Sequence, residues 1–524
     1  MARAQPRACT RGPWKVLLLG AAVLAVSSPA GGDRLPAQAA GAPPTTPPPS
    51  RQMAAGQATV PNILFILLDD MREDGVMNVP EVLPKTKRWL VDGGTTFTQG
   101  FVTSPLCCPE RATVWSGRLP HNTEVFDNYT GDNLDRDWIT PRYLRDAGYR
   151  TALVGKFITD WKFRYVPPHF DDYAAFQGGY VDHSFWVKEP GAADHHTEKA
   201  PYTTDYIGEK AAEFIGAYEA ADDQPWFMQV APHAPHSNKV EGKAEGCDLE
   251  KAYTWREGDG ERPIAPWQPT PAVTVEGGPN GRAEKADKAP FLRGKDFTER
   301  CGAVTHEGHM RTLFAADDMV EVMMTALEAN GELADTLVIF TSDNGFSWNE
   351  RGATSKGLPY TEHVKVPFLV RWDGVFPAGA VDSRLVSGED FLPTYLEAAG
   401  STPPQLGHPL DGRSFLPGAP GRDVKYLEFG PVGRPSPTTY QGHLGIPSWA
   451  SLRSPAWQYV EYYESHDNST VHYREYYDLV ADPWQLDNLL ADGDPANDPD
   501  VAGLSAEVHR LWTCAGTTGA NPCR

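Results

Sequence analysis

Short apolar runs bounded by polar residues recur along this chain and set its expected architecture. The run Asn62–Leu68 is apolar at every position after its asparagine, the composition of a strand buried on both faces. Residues 150–154, 226–230, 336–341 and 366–371 are shorter runs of the same kind. Between and beyond them, residues 111–116, 206–220, 307–330 and 391–399 carry apolar side chains at helical spacing, and Asn330-Gly331 supplies a stop for the longest. This alternation predicts an α/β fold with a mostly parallel central sheet sandwiched by helices. Residues 237–295 are rich in Gly, Pro and charge, and predict a long excursion over the sheet edge. After about Val424 the pattern changes. Residues 449–453, 458–463 and 472–478 alternate and are dense in Tyr and Trp, predicting a small C-terminal antiparallel sheet subdomain with 502–512 as its packing helix.

The amino-terminal stretch lies outside that scheme. Arg3, Arg7, Arg11 and Lys15 precede an apolar run over 16–26, and Ala37-Gln38-Ala39 follows, which is the order of a secretory signal peptide spanning 1–39. Residues 40–58 are rich in Pro and Ala and read as a linker, ahead of a large domain at 59–423 and the subdomain at 424–524. The apolar run is too short for a comfortable membrane span, so the mature protein is expected to be secreted and free of the membrane. The 524-residue chain has a formal charge of −22, and removal of the signal, with five basic residues and one acidic, leaves −26. That field opposes nucleic acid and anionic membranes as partners, and an anionic substrate would need a local cluster of Arg and Lys. Cys9 leaves with the signal. An oxidising compartment then permits Cys247 with Cys301 and Cys514 with Cys523, among other pairings. Asn128-Tyr129-Thr130 and Asn468-Ser469-Thr470 match glycosylation sequons.

Candidate chemistry sits where the apolar runs end, because ligands of open α/β sheets gather beyond the carboxyl ends of the strands. The first run ends in Asp69-Asp70, and the run at 336–341 in Ser342-Asp343-Asn344-Gly345. The other two end in Gly155-Lys156 and Ala231-Pro232-His233. Any one ending would suit an ordinary cap or turn; four together point to a site. Asp69, Asp70, Asp343 and Asn344 offer hard oxygens suited to Ca²⁺ or Mg²⁺ and poorly suited to Zn²⁺ or Cu²⁺. Arg111, Lys156 and Lys356 bring positive charge, and His233 can titrate near neutrality.

Cys107-Cys108-Pro109-Glu110-Arg111, running on to Gly117-Arg118-Leu119-Pro120-His121-Asn122, resembles the motif by which sulfatases mark one cysteine for oxidation to formylglycine. Together with the paired Asp, Gly155-Lys156-Phe157, Pro232-His233, Asp343-Asn344-Gly345, Lys365-Val366-Pro367 and the closing Tyr477-Asp478-Leu479, it makes the chain similar to type I sulfatases of the alkaline phosphatase superfamily from Pro61 to its end. The doubled cysteine and the residues after it resemble the N-acetylglucosamine-6-sulfatase branch. The resemblance implies an alkaline phosphatase-like fold and a sulfuric ester hydrolase acting on a sulfated small molecule or glycan. Cys107 would be converted by a formylglycine-generating enzyme, and one Ca²⁺, rather than Mg²⁺, would be held by Asp69, Asp70, the modified Cys107, Asp343 and Asn344. It further implies that position 107 supplies the nucleophile and that Arg111 steadies it. Lys156 and Lys356 would offset charge on the sulfonyl oxygens, while His233 or Lys356 protonates the departing alcohol.

Glu110 departs from the family pattern, which places a small Ser or Ala there, and its carboxylate is expected within reach of Arg111. Ser347-Trp348 and Thr123-Glu124 occupy stretches where the family often has histidine. His121 is either a substrate contact or a structural histidine, and His233 is preferred to His236 because it comes first after its strand. The same superfamily site also admits phosphodiesters and phosphonate monoesters. A chain whose Cys107 stayed a thiol would be a catalytically silent binding protein.

Overall fold

The computed structural model describes residues 60–158, 166–238, 253–276, 285–293, 299–401, 408–434, 445–464 and 467–523. The expected signal and linker, and Cys247, lie outside them. A central sheet of ten strands is built from β1 (Asn62–Leu68), β2 (Thr95–Phe101), β3 (Arg150–Lys156), β4 (Asp172–Phe176), β5 (Val181–Lys188), β6 (His196–Tyr202), β7 (Trp226–Ala231), β8 (Thr336–Ser342), β9 (Leu369–Arg371) and β10 (Ala380–Ser387). Their spatial order is β10-β2-β9-β8-β1-β7-β3-β4-β5-β6. The centre is parallel, with Phe65 of β1 in register with Gln229 of β7 and Ile339 of β8. Only β9 and β5 run against their neighbours. The sheet is therefore mixed but mostly parallel, as the alternation of runs predicts.

Alternate residues of β1 enter two different cores, which is why the run is apolar throughout. Leu64, Ile66 and Leu68 pack with Phe214 of α2 (Thr203–Ala221) and Met319 and Met323 of α3 (Glu299–Asn330). Ile63, Phe65 and Leu67 pack with Trp115 of α1 (Cys107–Ser116) and Phe391 and Tyr395 of α4 (Phe391–Ala398). The long helix begins well before the expected 307. Gly302 lets it pass close under Trp348 and Trp267, and at Gly308 a Cβ would lie 2.1 Å from the Tyr253 ring, so contacts with the crossing 253–267 segment hold a turn that lacks apolar periodicity.

The carboxyl-terminal sheet is antiparallel, in the order β11 (Lys425–Phe429), β12 (Trp449–Arg453), β13 (Trp457–Glu464) and β14 (Asp467–Asp478). Val508 and Leu511 of α5 (Val501–Leu511) close one face against Tyr426, Leu452 and Tyr459. Leu427, Trp449 and Val460 on the other face pack with Phe101, Tyr360 and Val366 of the main domain. Cys514 and Cys523 form a disulfide beyond α5, and Cys301 is disulfide-bonded. Both sequon asparagines are taken up by the fold: the side-chain oxygen of Asn128 accepts the Cys108 N–H at 3.0 Å, and Asn468 is buried against Ser448. No helix among the described residues is long and apolar enough to cross a membrane.

Candidate active site

Four strand ends assemble the site. β1 leads into Asp69 and Asp70, β8 into Asp343 and Asn344, β3 ends on Lys156, and β7 leads into His233 and His236. Because β8, β1, β7 and β3 are consecutive in the sheet, their carboxyl ends are neighbours. The turn after β1 is held from β8: Asp70 takes a left-handed φ of 73°, its N–H donates to Asp343 Oδ1 at 3.2 Å, and the Met71 N–H donates to Ser342 Oγ at 2.9 Å.

Cys107 is the first residue of α1 and only 1% exposed. Its Sγ lies 3.3 Å from Asp69 Oδ1 and 2.8 Å from Lys356 Nζ. Lys356 also pairs with Asp70, and Lys156 with Asp69. One helical turn after Cys107, Arg111 donates Nε–H to Asp343 Oδ2 at 2.7 Å and Nη1–H to the carbonyl oxygens of Lys156 and Phe157 at 3.1 and 3.4 Å. Asn344 Nδ2 donates to Asp70 Oδ1 at 2.6 Å. His233 Nδ1 is 4.0 Å from Asp69 Oδ2, and His236 Nε2 is 3.5 Å from Asp70 Oδ2. The residues expected to hold the metal or carry the chemistry, Asp69, Asp70, Cys107, Arg111, Lys156, His233, Asp343, Asn344 and Lys356, thus lie in this cluster.

Alternating charges shape the protonation states. Burial alone would raise the Asp69 carboxyl, but Lys156, His236, Arg111 and Lys356 hold it well below the usual range. Asp70 is lowered in spite of its burial, by His236 and Lys356. Asp343 goes the other way, raised by burial and by the charge of Asp69 despite Arg111. Burial and Asp69 push the Cys107 thiol far up, so an unmodified cysteine here is not a thiolate nucleophile. Against the effect of burial, neighbouring carboxylates raise Lys156 and Lys356, which stay charged. Burial and His236 keep His233 neutral by lowering it well below its ordinary value. Its Nε2 stands 3.2 Å from the Ser237 carbonyl oxygen and so bears the hydrogen, leaving Nδ1 a buried acceptor with no hydrogen-bond partner among the described residues.

The acceptor set fits a hard cation. Asp70 Oδ2 and Asn344 Oδ1 are buried without a hydrogen-bond partner among the described residues, and such orphans cost about 1–3 kcal/mol each unless something satisfies them. Ligand atoms of Asp69, Asp70, Cys107 and His236 lie within 4.8 Å of one another.

Glu110 corrects the sequence reading, and His121 decides between two readings the sequence left open. Glu110 turns from Arg111 to the strand-to-helix loop, where its Oε2 accepts the N–H groups of Thr103 and Ser104 at 2.8 and 3.0 Å. Burial, reinforced by Glu389, pushes its carboxyl up to about 8. His121 is structural, bonded through Nδ1 to Glu428 Oε1 at 2.9 Å and through Nε2 to the Cys514 carbonyl oxygen at 3.0 Å. His236 is nearer the carboxylates than its rank behind His233 suggests. Its signal was the second Pro-His of Pro232-His233-Ala234-Pro235-His236, a turn that Tyr180 anchors by donating its hydroxyl to the His236 carbonyl at 2.7 Å.

Residues 61–401 match the family model described as sulfatase. The chain belongs to the sulfatase family. It is accordingly a sulfuric ester hydrolase, and residues 349–511 of this sulfatase also match the model described as N-sulphoglucosamine sulphohydrolase, C-terminal. It is 28% identical over 520 residues to N-acetylglucosamine-6-sulfatase of Capra hircus, covering 90% of this chain and 86% of that protein. The corresponding protein of Homo sapiens is 27% identical over 508 residues, covering 88% and 86%. Arylsulfatase of Chlamydomonas reinhardtii is 26% identical over 519 residues, covering 89% and 77%. Among solved structures, one described as a complex with its substrate D-glucosamine-2-N,6-O-disulfate superposes with a TM-score of 0.63 at 22% identity, covering 86% of this chain and 96% of that one. A phosphonate monoester hydrolase from Silicibacter pomeroyi gives 0.61 at 21% identity, covering 86% and 94%. These likenesses establish the alkaline phosphatase-like fold.

Proposed function

We propose that the protein is a secreted sulfatase that hydrolyses the sulfate ester of a sulfated sugar, of the N-acetylglucosamine-6-sulfate kind, after a formylglycine-generating enzyme has oxidised Cys107. The observation that carries this reading is the setting of Cys107, buried with its Sγ between Lys356 Nζ and an Asp69 carboxylate at the meeting point of four strand ends. Asp69, Asp70, Asp343, Asn344 and side chain 107 would hold one Ca²⁺, and the orphaned oxygens of Asp70 and Asn344 support that assignment. When bound, the ion supplies Lewis-acid polarisation of a sulfate oxygen, and the formylglycine hydrate supplies the attacking hydroxyl.

The chain's own groups do the rest. Lys156 and Lys356, both charged, offset negative charge on the sulfonyl oxygens without reorganising. Arg111 holds Asp343 and the end of β3 in place, and it moves no proton, because guanidinium stays charged. The departing alcohol would take its proton from Lys356, which is charged, or from His233 once its Nδ1, an acceptor because Nε2 bears the hydrogen, has taken up the proton that the attacking hydroxyl loses.

The test is turnover of aryl sulfate, glucosamine-6-sulfate and glucose-type sulfate esters, with phosphate and phosphonate esters as controls. Protein made with a formylglycine-generating enzyme should be used, with mass spectrometry of the tryptic peptide ending at Arg111. The expected result is sulfate ester turnover by chains whose peptide has lost H₂S and gained oxygen. Faster phosphonate turnover would point to a phosphonate monoester hydrolase, and an intact Cys107 with no turnover to a silent binding protein.

A further inference from the structure

Glu110 reaches back over the start of the helix that presents Cys107. α1 begins at Cys107 behind Leu106, which supplies no side-chain cap, so the loop ahead of it needs another anchor. Thr103 and Ser104 of that loop are buried, and both of their N–H groups donate to Glu110 Oε2, at 2.8 and 3.0 Å. A side chain in the first turn thus closes on the chain that enters the helix, much as the acidic member of a capping box does. Thr103 is gripped elsewhere too: its carbonyl accepts the Glu428 N–H of β11 at 3.0 Å, and its hydroxyl donates to Glu389 Oε2 at 2.6 Å. Arg422 and Lys425 in turn pair with Glu389 at 2.6 and 2.5 Å. The second Glu110 oxygen, Oε1, fills the space over Gly388, just past β10, where a Cβ would lie 2.0 Å from it.

We infer that Glu110 is a positioning residue for side chain 107, and that residue 388 is glycine in order to admit it. The inference rests on the reading that position 107 supplies the attacking group. The loop has to deliver that side chain between Lys356 Nζ and Asp69 Oδ1, 2.8 and 3.3 Å from the Cys107 Sγ, and a displacement of about 1 Å at a reacting group can cost a hundredfold in rate. The small Ser or Ala of the family pattern cannot span to both amides, so the carboxyl and the glycine act here as a pair.

The test is steady-state turnover of a sulfate ester by full-length protein, scaled to formylglycine content from mass spectrometry of the peptide ending at Arg111. Glu110→Ala should lower kcat at least about tenfold and leave KM within about twofold, because the substrate's contacts stay and the attacking group shifts. Glu110→Gln keeps an acceptor for both amides and should hold kcat within about threefold of the parent. Gly388→Ala should lower kcat as Glu110→Ala does, while the double variant should be no slower than Glu110→Ala alone, since the new methyl then meets no carboxyl. Independently of turnover, hydrogen exchange of the peptide that holds Thr103 and Ser104 should be at least about tenfold faster in Glu110→Ala and unchanged in Glu110→Gln. Losses in KM alone, a Gln variant as slow as the Ala variant, additive losses in the double variant, or unaltered exchange in Glu110→Ala would each overturn the inference. Parent protein that carries formylglycine and turns nothing over would instead fault the reading of position 107, and the exchange rates would then decide for or against the clamp.

Discussion

Arg111 uses the shape of its side chain as well as its charge, since Nε meets Asp343 while Nη1 meets the carbonyls of Lys156 and Phe157. A lysine ammonium cannot span those partners. Losing one charge-assisted hydrogen bond costs about 1.5–3 kcal/mol, so Arg111→Lys should lower kcat/KM for a sulfate ester at least about tenfold, measured by steady-state kinetics. Glu110 makes a prediction about pH. Its folded value lies at about 8 against an ordinary 4.5, so the fold favours the neutral carboxyl, and that stabilisation is complete below 4.5 and lost as pH rises through about 8. Glu110→Gln keeps an acceptor for Thr103 and Ser104 and cannot ionise. Its Tm should therefore rise relative to the parent by several degrees between about pH 5 and about pH 9; thermal unfolding with the same offset at both values would refute this. Asp69 has the opposite sign. Its depressed value contributes stability above the usual carboxylate range that is lost as pH falls below it.

Elements were legible where burial made their composition uniform. β1 can be read to the residue because both of its faces are covered, and the polar residues that interrupt it and its neighbours at their carboxyl ends mark the site. β2 was not legible, since Thr95-Thr96-Phe97-Thr98-Gln99-Gly100-Phe101 mixes polar and apolar residues without a period. The β5–β6 hairpin at the sheet edge begins with exposed residues and offers no apolar run. The run expected over 366–371 forms a regular strand only over Leu369–Arg371. Lys356 comes from a loop, so no strand pattern announces it, and only its charge brought it into the candidate set. At Gly155 the element itself sets a limit. A Cβ there would lie 2.1 Å from the Ala231 carbonyl oxygen of the adjacent strand, and the φ of 116° excludes ordinary side chains. Gly155→Ala should cost at least about 1–3 kcal/mol, read as a lower Tm by calorimetry, because overpacking forces β3 from β7 where Lys156 is delivered.

At the scale of the whole molecule, the carboxyl-terminal sheet reaches into the site through the Lys356 loop. Trp449 of β12 donates its indole N–H to the Gly357 carbonyl at 2.8 Å, and Phe429 and Ile446 press on Gly357, whose φ of 98° suits glycine. Trp449→Phe removes that hydrogen bond, worth about 0.5–1.5 kcal/mol, and keeps the stack on Phe429. Its kcat should fall severalfold while far-ultraviolet circular dichroism stays unchanged; unaltered kcat would show that Lys356 is held without the second sheet. A protease that cut the chain beyond Phe429 should free Gly357 from Trp449 and so loosen the ammonium facing position 107. The tail of the polypeptide would then work as a latch on the Lys356 loop, its release lowering turnover from a distance.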